Sequence, residues 1–353
     1  MDKFQLIAYY VPQFYEIEFN DNYWGKGYTE WTATANAKPL FKGHYQPHVP
    51  ADLGFYNLLM PEVQIEQAKI AKEYGIDGFC YWHYWFGEGK TIMEKPLYNM
   101  LLNKKVDIPF CLAWANHSWH NPRTKEVILN QMYPGDSDNI QHFYSLLPAF
   151  KDERYMRHDG KLVFSIFAPP SVPNLNGFIT LWNSLAEKEG LGGFYFIGQG
   201  QCQQRINDYR QCKLDAINII RLNDFESHTN YWGRLYKRIK GELGISYKYA
   251  SKYFVNQVDA SEDVIPTIIA GWDHSPRTGR RGLILTDYTP DTFSLHLNDV
   301  FKLLLKKKNK MCFIKSWNEW GEGNHLEPDL KYGLNFLIQL KKLKGIYEGR
   351  ICT

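Results

Sequence analysis

Residues 311–323 read Met311-Cys312-Phe313-Ile314-Lys315-Ser316-Trp317-Asn318-Glu319-Trp320-Gly321-Glu322-Gly323. The apolar run 311–314 is short and ends in polar and aromatic residues, which predicts a buried β-strand. The segment that follows is aromatic and contains glycine, so we expect it to turn rather than to extend the strand. Two carboxylates, those of Glu319 and Glu322, therefore follow the end of a predicted strand. Glu319 lies between Trp317 and Trp320 in the sequence, and Glu322 comes shortly after Trp320.

The spacing of Glu319 and Glu322 suits a reaction that needs two carboxyl groups. Cleavage of a bond between sugars takes one carboxyl to protonate the leaving oxygen and a second to supply negative charge or to accept a proton. Asn318 adds an amide that could hold a sugar hydroxyl. A Glu-x-x-Glu pair also occurs by chance, so a solvated turn is the alternative. The position after the last predicted strand favours Glu319 and Glu322 as catalytic residues.

Eight short apolar runs predict eight strands, at residues 5–10, 78–82, 109–114, 162–167, 194–197, 216–220, 267–271 and 311–317. Helical patterns lie between them, at residues 61–74, 91–102, 139–150, 175–189, 206–213, 292–307 and 330–343. Alternation of this kind is typical of a parallel α/β fold, and eight strands favour a closed (β/α)8 TIM barrel over an open doubly wound sheet. We expect residues 1–353 to form a single (β/α)8 catalytic domain.

Two long segments interrupt the alternation, residues 12–57 after the first strand and residues 227–264 after the sixth. Loops of this length usually carry function, and in a barrel both follow strand C-termini. We therefore expect the long loops after strands 1 and 6 to cover the catalytic face.

The ends of several predicted strands share aromatic and hydrogen-bonding side chains, which should meet at one face of a barrel. For each side chain taken alone, burial in the core explains it about as well, and their convergence favours a sugar-binding site. The candidate substrate-binding residues are Tyr10, Gln13, Trp31, His83, Tyr84, Trp85, Trp114, Asn116, His117, Trp272, Asp273, Arg277, Asn318 and Trp320.

Metal and cofactor motifs are weak in this sequence. His44 and His48 are four residues apart, but Pro47 between them rules out the helix on which a zinc-binding pair of this spacing would lie. His83 and His117 could meet at neighbouring strand ends. No glycine-rich dinucleotide or phosphate-loop motif is present in the sequence. We predict no metal site and no cofactor.

The loop after the predicted seventh strand is basic, with Arg277, Arg280 and Arg281 between Pro276 and Gly282. Barrels often bind phosphate with the loops after strands seven and eight, and guanidinium groups suit phosphate oxygens. A phosphate-bearing donor, such as a nucleotide-sugar or a lipid carrier, is one interpretation of this loop. A solvated loop is the other.

Composition narrows the class of protein. The net charge of +3 argues against nucleic acid as a partner, and no run approaches the ~18 apolar residues needed to span a bilayer. Several of the six cysteines lie in apolar runs, no Cys-x-x-Cys is present, and the first ten residues lack a secretory pattern. We predict a cytoplasmic protein that is not membrane-spanning.

Longer motifs resemble a known family. They are Tyr10-Val11-Pro12-Gln13-Phe14, Trp24-Gly25-Lys26-Gly27-Tyr28-Thr29-Glu30-Trp31, Lys38-Pro39-Leu40-Phe41-Lys42-Gly43-His44-Tyr45-Gln46-Pro47, Gly78-Phe79-Cys80-Tyr81-Trp82-His83-Tyr84-Trp85-Phe86 and Trp317-Asn318-Glu319-Trp320-Gly321-Glu322-Gly323-Asn324-His325-Leu326-Glu327-Pro328. These stretches resemble the WbsX-type glycosyltransferases of polysaccharide biosynthesis, which are related to glycoside hydrolase family 99, the endo-α-mannosidases.

The resemblance implies a (β/α)8 barrel and retaining chemistry on an α-linked, mannose-type unit. It implies that Glu319 removes the proton of the sugar 2-hydroxyl, which attacks its own anomeric carbon, and that Glu322 is the general acid and then the general base. The chain departs from the hydrolase pattern at Gly321, where those enzymes typically carry histidine. It also carries His274 where the WbsX-type pattern usually has asparagine.

Three functions remain open from the sequence. The chain is a hydrolase that cuts within an α-linked glycan, a transferase in surface-polysaccharide assembly of the lipopolysaccharide or O-antigen type, or a non-catalytic glycan-binding barrel. The expected partner is in each case a glycan or glycolipid.

Overall fold

Strands and helices alternate along most of the chain in the computed structural model, which describes residues 3–121, 124–200, 206–228 and 244–350. Eight parallel strand positions form the central sheet. They are β1 Gln5–Tyr10, β2 Gly78–Trp85, β3 Phe110–Trp114, β4 Lys161–Ile166, β5 Phe194–Gly200, β6 Ala216–Ile219, β7 Val264–Ile265 with Thr267–Ile269, and β8 Met311–Lys315.

The strands lie side by side in chain order, and β8 pairs in parallel with β1, with Met311 opposite Gln5. β7 consists of two segments because Pro266 between them has no backbone N–H to offer a neighbour. Its first segment pairs with β6 and its second with β8. The nine parallel segments therefore form a nearly closed barrel, as the (β/α)8 prediction requires.

Helices cover the outside of the barrel and occupy its long loops. They are α1 Glu18–Trp24, α2 Glu30–Ala35, α3 Pro61–Glu73, α4 Lys95–Leu102, α5 Asp136–Phe150, α6 Leu175–Lys188, α7 Ile206–Arg210, α8 Tyr247–Ala250, α9 Ser275–Thr278, α10 Pro290–Leu305 and α11 Asn335–Gly349. Short 3₁₀ turns lie at Pro169–Ser171, Asp224–His228, Ser251–Tyr253, Gln257–Ala260, Gly279–Arg281 and Trp320–Glu322.

Several short strands form additional pairs beside the barrel strands. Thr91–Ile92 pairs with β2, Arg157–His158 with β4, Trp119–His120 with Val127–Leu129, Ile245–Ser246 with Leu285–Thr286, and Asn318–Glu319 with Asn324–His325. The last of these pairs lies directly after β8 and carries the first glutamate of the candidate pair.

The core lies between the strands and the outer helices and is unusually aromatic. Trp182 of α6 is fully buried and packs with ring centroids 4.9 Å from Phe164 of β4 and 5.4 Å from Phe194 of β5. Phe150 of α5 adds a further edge-on contact to Phe194, at 5.0 Å. Burying side chains of this size provides much of the free energy that holds helices onto a sheet.

The barrel interior is filled by side chains rather than open. Tyr9 of β1 stacks on Phe313 of β8 and on Trp82 of β2, at 5.0 Å in both cases. Its hydroxyl donates to Asn218 Oδ1 of β6 at 2.9 Å, so opposite sides of the barrel are connected. Asn218 Nδ2 in turn donates to Thr267 Oγ1 of β7 at 2.8 Å.

The two long loops are where the sequence predicted them. Residues 11–60 separate β1 from α3 and hold α1 and α2, and residues 220–263 separate β6 from β7. Part of the second loop, residues 229–243, lies outside the described residues.

Some predicted helix bounds are wrong for local reasons. Residues 91–92 form a strand with β2, and the helix begins only at Lys95, just before Pro96. The last helix begins at Asn335 rather than at residue 330, because Asp329 Oδ1 accepts from the N–H groups of Lys331 and Tyr332 in a turn.

In the part of the chain that the structure describes, no helix is both long enough and apolar enough to cross a bilayer.

Candidate active site

A hairpin directly after β8 holds the two glutamates. Asn318 pairs with His325 and Glu319 with Asn324, and the 3₁₀ turn Trp320–Glu322 joins the two arms. Gly323 closes the turn with a φ of +55°, and a side chain there would crowd Asp273. Both carboxyl groups therefore lie on one short, constrained segment at the C-terminal end of the barrel, where barrel enzymes place their active sites.

Glu319 is 8% exposed and lies next to a cation. Its Oε2 accepts from Lys315 Nζ at 3.0 Å and from Ser316 Oγ at 2.9 Å. Burial acts to raise the pKa of this carboxyl, but the charges of Lys315 and Arg277 outweigh it, and the pKa lies below its usual value. Glu319 is therefore ionised at neutral pH.

Glu322 is 9% exposed and has the opposite ionisation behaviour. Its Oε1 accepts from Arg277 NH1 at 2.7 Å and lies 3.7 Å from His274 Nε2, and its Oε2 lies 4.0 Å from Lys315 Nζ. Burial and the negative charge of Glu319 raise its pKa more than Arg277 and Lys315 lower it. Glu322 therefore keeps its proton to a higher pH than an exposed glutamate does.

A third carboxylate, Glu30 of α2, completes the charge cluster. It is 1% exposed, and its Oε1 accepts from Arg277 NH2 at 2.7 Å and from the backbone N–H of Gly321 at 2.8 Å. A Cβ at position 321 would collide with this oxygen and approach Arg277 Nε. Glu30 therefore occupies the place where a side chain at 321 would lie, which explains the glycine.

Tyr84 and Trp272 flank the cluster and are half-buried. Burial, and then the charge of Glu319, raise the pKa of Tyr84, so its hydroxyl stays neutral near the carboxylates. Lys315 Nζ lies 5.2 Å from the centre of the Trp272 ring. Both side chains present an aromatic surface beside the two glutamates, as the sequence suggested.

Five of the predicted contact residues instead lie in the protein interior, with their polar atoms bonded to other protein groups. Tyr10 donates to Gln67 at 2.6 Å, His83 meets His142 at 2.8 Å, Trp85 donates to Asp138 at 2.9 Å, Trp114 to the carbonyl of Trp85 at 3.0 Å, and Asn116 to the carbonyl of Ala168 at 2.9 Å. For the four that lie on strands, strand alternation is the reason, since neighbouring residues of a barrel strand face opposite sides; Asn116 follows β3. These side chains support the barrel and are not available to a ligand.

Four others support the hairpin from behind. Asn318 exchanges two hydrogen bonds with the backbone of Val11, and Trp320 donates to Glu327 at 2.6 Å. Asp273 accepts from Gln46 at 2.7 Å and lies 2.6 Å from His44. Trp31 donates to the carbonyl of Tyr56 at 2.8 Å and packs against Trp320.

The remaining predicted contacts lie toward the solvent. His117 is exposed and its ring lies 4.8 Å from that of Phe167. Gln13 is half-buried, and its carbonyl accepts from the N–H of Glu30. Arg277, whose side chain is 30% exposed, is engaged with Glu30 and Glu322 rather than free for phosphate.

Sequence reasoning missed Glu30 and Lys315. The strand period of two carried a usable signal for side-chain direction, because Tyr84 lies on the half-buried face of β2 whereas Trp85 does not. Glu30 lies within a motif that supported the family resemblance, but nothing in its spacing connects it to residue 321.

His83 and His117, the two histidines that the sequence left as a possible metal pair, have other neighbours. His83 meets His142 at 2.8 Å, and the ring of His117 lies 4.8 Å from that of Phe167. A different set comes together: His48, His325 and Asp329 each offer one donor atom, and these atoms lie within 4.8 Å of one another.

Comparison with known proteins gives one family. The family model described as glycosyltransferase WbsX matches residues 6–340. The uncharacterized protein WxcX of Xanthomonas campestris pv. campestris, found in two strains, is 31% identical over 340 residues, which is 94% of this chain and 48% of that protein. The chain thus spans about half the length of the curated relatives it matches.

Solved structures share the fold. The GH99 endo-alpha-mannosidase of Bacteroides thetaiotaomicron superposes with a TM-score of 0.62 at 13% identity, covering 100% of this chain and 99% of that one. A glycoside hydrolase-like protein gives a TM-score of 0.62 at 15% identity, covering 97% and 94%. At these identities the likeness is one of fold.

Proposed function

This chain belongs to the WbsX glycosyltransferase family, a family of carbohydrate-active enzymes, and on that basis we propose that it cleaves or transfers an α-linked, mannose-type glycosyl unit with retention of configuration, using Glu319 and Glu322. One observation carries the proposal. Two neighbouring buried carboxyls on one hairpin, both within 4.0 Å of Lys315, have pKa values displaced in opposite directions. Pairs of this kind are how active sites keep one acid and one base at the same pH.

The proposed reaction assigns each carboxyl the role that its ionisation suits. Ionised Glu319 takes the proton of the sugar 2-hydroxyl, whose oxygen attacks the anomeric carbon as the bond to the leaving group breaks. Protonated Glu322 gives its proton to the leaving oxygen. A water molecule or an acceptor hydroxyl then loses its proton to Glu322 and attacks the anomeric carbon. The bond between that carbon and the 2-oxygen breaks in the same step, and the 2-oxygen regains its proton from Glu319.

The remaining side chains support this chemistry. Arg277 holds Glu322 and is itself held by Glu30, so the acid cannot swing away from Glu319. Lys315 fixes the base. The half-buried faces of Tyr84 and Trp272 offer apolar surfaces to a sugar ring beside the two carboxyls.

The substrate proposal is a surface polysaccharide or glycolipid of the lipopolysaccharide or O-antigen type. The substrate proposal also includes a phosphate-bearing or nucleotide-sugar donor. Because Arg277 is engaged in ion pairs, contact with phosphate would come from the other two arginines of the loop, Arg280 and Arg281.

Two further points stay proposals. We propose that residues 1–353 act as a single catalytic domain, which is supported by the pairing of β1 with β8 at the two ends of the barrel. We also propose a cytoplasmic location, supported by the free thiols of Cys80, Cys111, Cys212 and Cys312. Fractionation of the native cells would test the location.

Substitution of the two carboxyls tests the proposed function. We expect Glu319→Gln and Glu322→Gln each to lower the rate about 100-fold or more while glycan binding is retained, because each removes a proton-transfer group. Glu66→Gln, an exposed glutamate on α3, is the matched control and should leave the rate unchanged. Retained binding and an unchanged rate in both active-site variants would leave only the glycan-binding barrel.

The choice of substrate separates the two enzyme classes. The protein is incubated with α-mannan fragments alone, and separately with nucleotide-sugars and an acceptor. New reducing ends without a donor identify a hydrolase, and product that appears only with a donor identifies a transferase.

A further inference from the structure

A cluster of metal-ligating side chains lies where the second arm of the glutamate hairpin meets the long loop after β1. His48 comes from the long loop after β1, and His325 and Asp329 come from the segment after β8. His48 Nδ1 and His325 Nε2 face each other at 2.9 Å. His48 and Asp329 are 1% and 5% exposed, so the cluster is enclosed rather than a patch of surface charge.

The hydrogen bonds around the cluster fix one imidazole tautomer. His325 Nδ1 lies 2.9 Å from the carbonyl oxygen of Glu327, which can only accept, so Nδ1 carries the proton and Nε2 presents a lone pair. A ligating histidine is usually held in this way, by a hydrogen bond from its second ring nitrogen. Asp329 is held as well, since its Oδ1 accepts from the N–H groups of Lys331 and Tyr332.

His48 can adopt either tautomer. Its Nε2 lies 2.8 Å from the hydroxyl of Tyr288, a group that donates or accepts by rotation. When that hydroxyl donates, His48 Nδ1–H bonds to His325 Nε2. When it accepts, both facing nitrogens present lone pairs, and only a cation between them relieves the repulsion.

We propose that His48 Nδ1, His325 Nε2 and the Asp329 carboxylate form a binding site for a divalent transition metal, with Zn²⁺ as the best match. Two imidazoles and one carboxylate are a ligand set that Zn²⁺ takes in proteins. Tetrahedral bonds of about 2.0–2.1 Å need the two nitrogens about 3.3 Å apart. The gap of 2.9 Å has to open by a few tenths of an ångström only.

A small cavity adjoins the site and suits the fourth ligand. It has a volume of about 10 Å³, and His325, Asp329 and Tyr288 are among the residues that line it. That is room for about one water molecule. A water bound there completes a four-coordinate site without displacing a side chain.

The metal would fasten the long loop to the hairpin. The two segments already meet through the backbone, where Ala51 N–H donates to the carbonyl of Pro328 and Leu330 N–H to that of Val49, both at 2.9 Å. The ring of His325 stacks on Trp320, between the two glutamates, with centroids 3.6 Å apart. The role is structural, since the cluster contains neither glutamate and joins the loop to the hairpin.

Metal uptake by the full chain tests the site without an activity assay. The purified protein is stripped with EDTA, exposed to ZnCl₂, freed of excess metal and analysed by elemental mass spectrometry and thermal unfolding. We expect about one Zn²⁺ per chain and an unfolding midpoint that rises by roughly 5 °C. Co²⁺ in place of Zn²⁺ should give the visible absorption of a tetrahedral N/O site, a readout that needs no variant.

Substitutions locate the metal. His48→Gln, His325→Ala and Asp329→Asn should each weaken uptake at least about 10-fold, whereas His120→Ala, an exposed histidine, should not. Circular dichroism checks that each variant folds. Wild-type protein that retains no Zn²⁺ and shows no midpoint shift, or uptake that is equal in all three variants, would overturn the proposal.

Discussion

Glu319 and Glu322 share a lysine but differ in what else surrounds them. Glu319 has Lys315 and the Ser316 hydroxyl at hydrogen-bond distance, which stabilise its charge. Glu322 has Arg277, yet it also has the charge of Glu319 as a neighbour and is almost as buried. Two adjacent buried carboxylates repel each other, so the pair tends to retain one proton. That proton resides mainly on Glu322.

This arrangement predicts a bell-shaped dependence of activity on pH. The acid limb follows protonation of Glu319, whose pKa is lowered, and the alkaline limb follows ionisation of Glu322, whose pKa is raised. Removing a nearby positive charge raises the pKa of both carboxyls. Arg277→Gln should therefore move both limbs to higher pH, as measured by pH–rate profiles.

The matched control is Arg210→Gln, which removes an arginine paired with Asp263 far from the hairpin. It should leave both limbs in place. If the two limbs of the pH–rate profile of Arg277→Gln do not move, or move to lower pH, the assigned charges are contradicted.

Gly321 provides a steric test at the same scale. Gly321→Ala places a Cβ against Glu30 Oε1, so we expect a loss of stability of about 1–3 kcal/mol and a lower rate. Gly345→Ala, in helix α11 with open space around its Cβ, should be neutral or stabilising by up to about 1 kcal/mol. Chemical unfolding measures both.

The cause can be isolated by removing the obstacle. In the double variant Glu30→Ala with Gly321→Ala, the added methyl group no longer meets the carboxylate. If Gly321→Ala lowers stability as much in the Glu30→Ala background as in the wild type, contact with Glu30 is not the reason for the glycine at position 321.

The sequence predicted that the two glutamates lie together after the last strand, but it did not predict most of their surroundings. Their position after the last apolar run was a local signal, whereas the contact of Glu30 with Gly321 joins residues 291 positions apart. Tyr84 and Trp272 lie beside the two glutamates as predicted, whereas Trp85 and Trp114 lie on the other side of the barrel wall. Side-chain direction depends on the strand register, and composition alone does not give it.

At the scale of elements, buried polar pairs connect the loops to the barrel. Arg221, two residues after the end of β6, is 1% exposed. Its Nε donates at 2.9 Å to Oδ2 of Asp259, which lies in the 3₁₀ turn Gln257–Ala260. Asp224 takes a further bond from Arg221 at 2.8 Å. The pair holds the beginning of the second long loop to its end, just before β7.

Asp259→Ala should therefore destabilise the protein by about 3 kcal/mol, because it removes the carboxylate that pairs with the buried guanidinium of Arg221. The comparison is Glu66→Ala, which breaks an exposed ion pair with Lys69 on α3 and should cost about 0.5 kcal/mol or less. Urea unfolding measures both. Equal effects for the two pairs would mean that the Arg221–Asp259 contact does not hold the loop.

Strands were easier to predict than helix starts. All eight barrel strands lie within a few residues of the predicted runs, because short buried apolar stretches bounded by turn residues have few alternatives. Helix starts depend on capping and on neighbouring strands. Residues 91–92 pair with β2 and so cannot begin the helix, and the turn at Asp329 delays the last one.

At the scale of the whole molecule, the barrel is held together across its interior as well as around its wall. Tyr9 of β1 reaches Asn218 of β6, which reaches Thr267 of β7. The first of these bonds connects β1 to β6, which are not neighbours in the barrel, and the second connects the neighbouring strands β6 and β7. The fold class follows from the count of strands, but this internal network does not.

Tyr9→Phe should lower stability by about 1–3 kcal/mol, because the ring still fills the space while Asn218 Oδ1 loses its donor in a buried site. The urea midpoint should fall with little change in slope. Tyr144→Phe, which removes the hydroxyl of an exposed tyrosine, is the control. A Tyr9→Phe variant as stable as the control would contradict the network.

Dependence of the rate on the leaving group tests the proposed roles of the two glutamates most directly. Initial rates are measured for wild type, Glu319→Gln and Glu322→Gln on aryl α-glycosides of a mannose-configured sugar whose phenols differ in acidity. An acidic phenol leaves without protonation, so the defect of Glu322→Gln should shrink steeply along the series, while that of Glu319→Gln should stay constant. A constant defect for Glu322→Gln, or one for Glu319→Gln that vanishes with the better leaving groups, would contradict the assignment of acid and base.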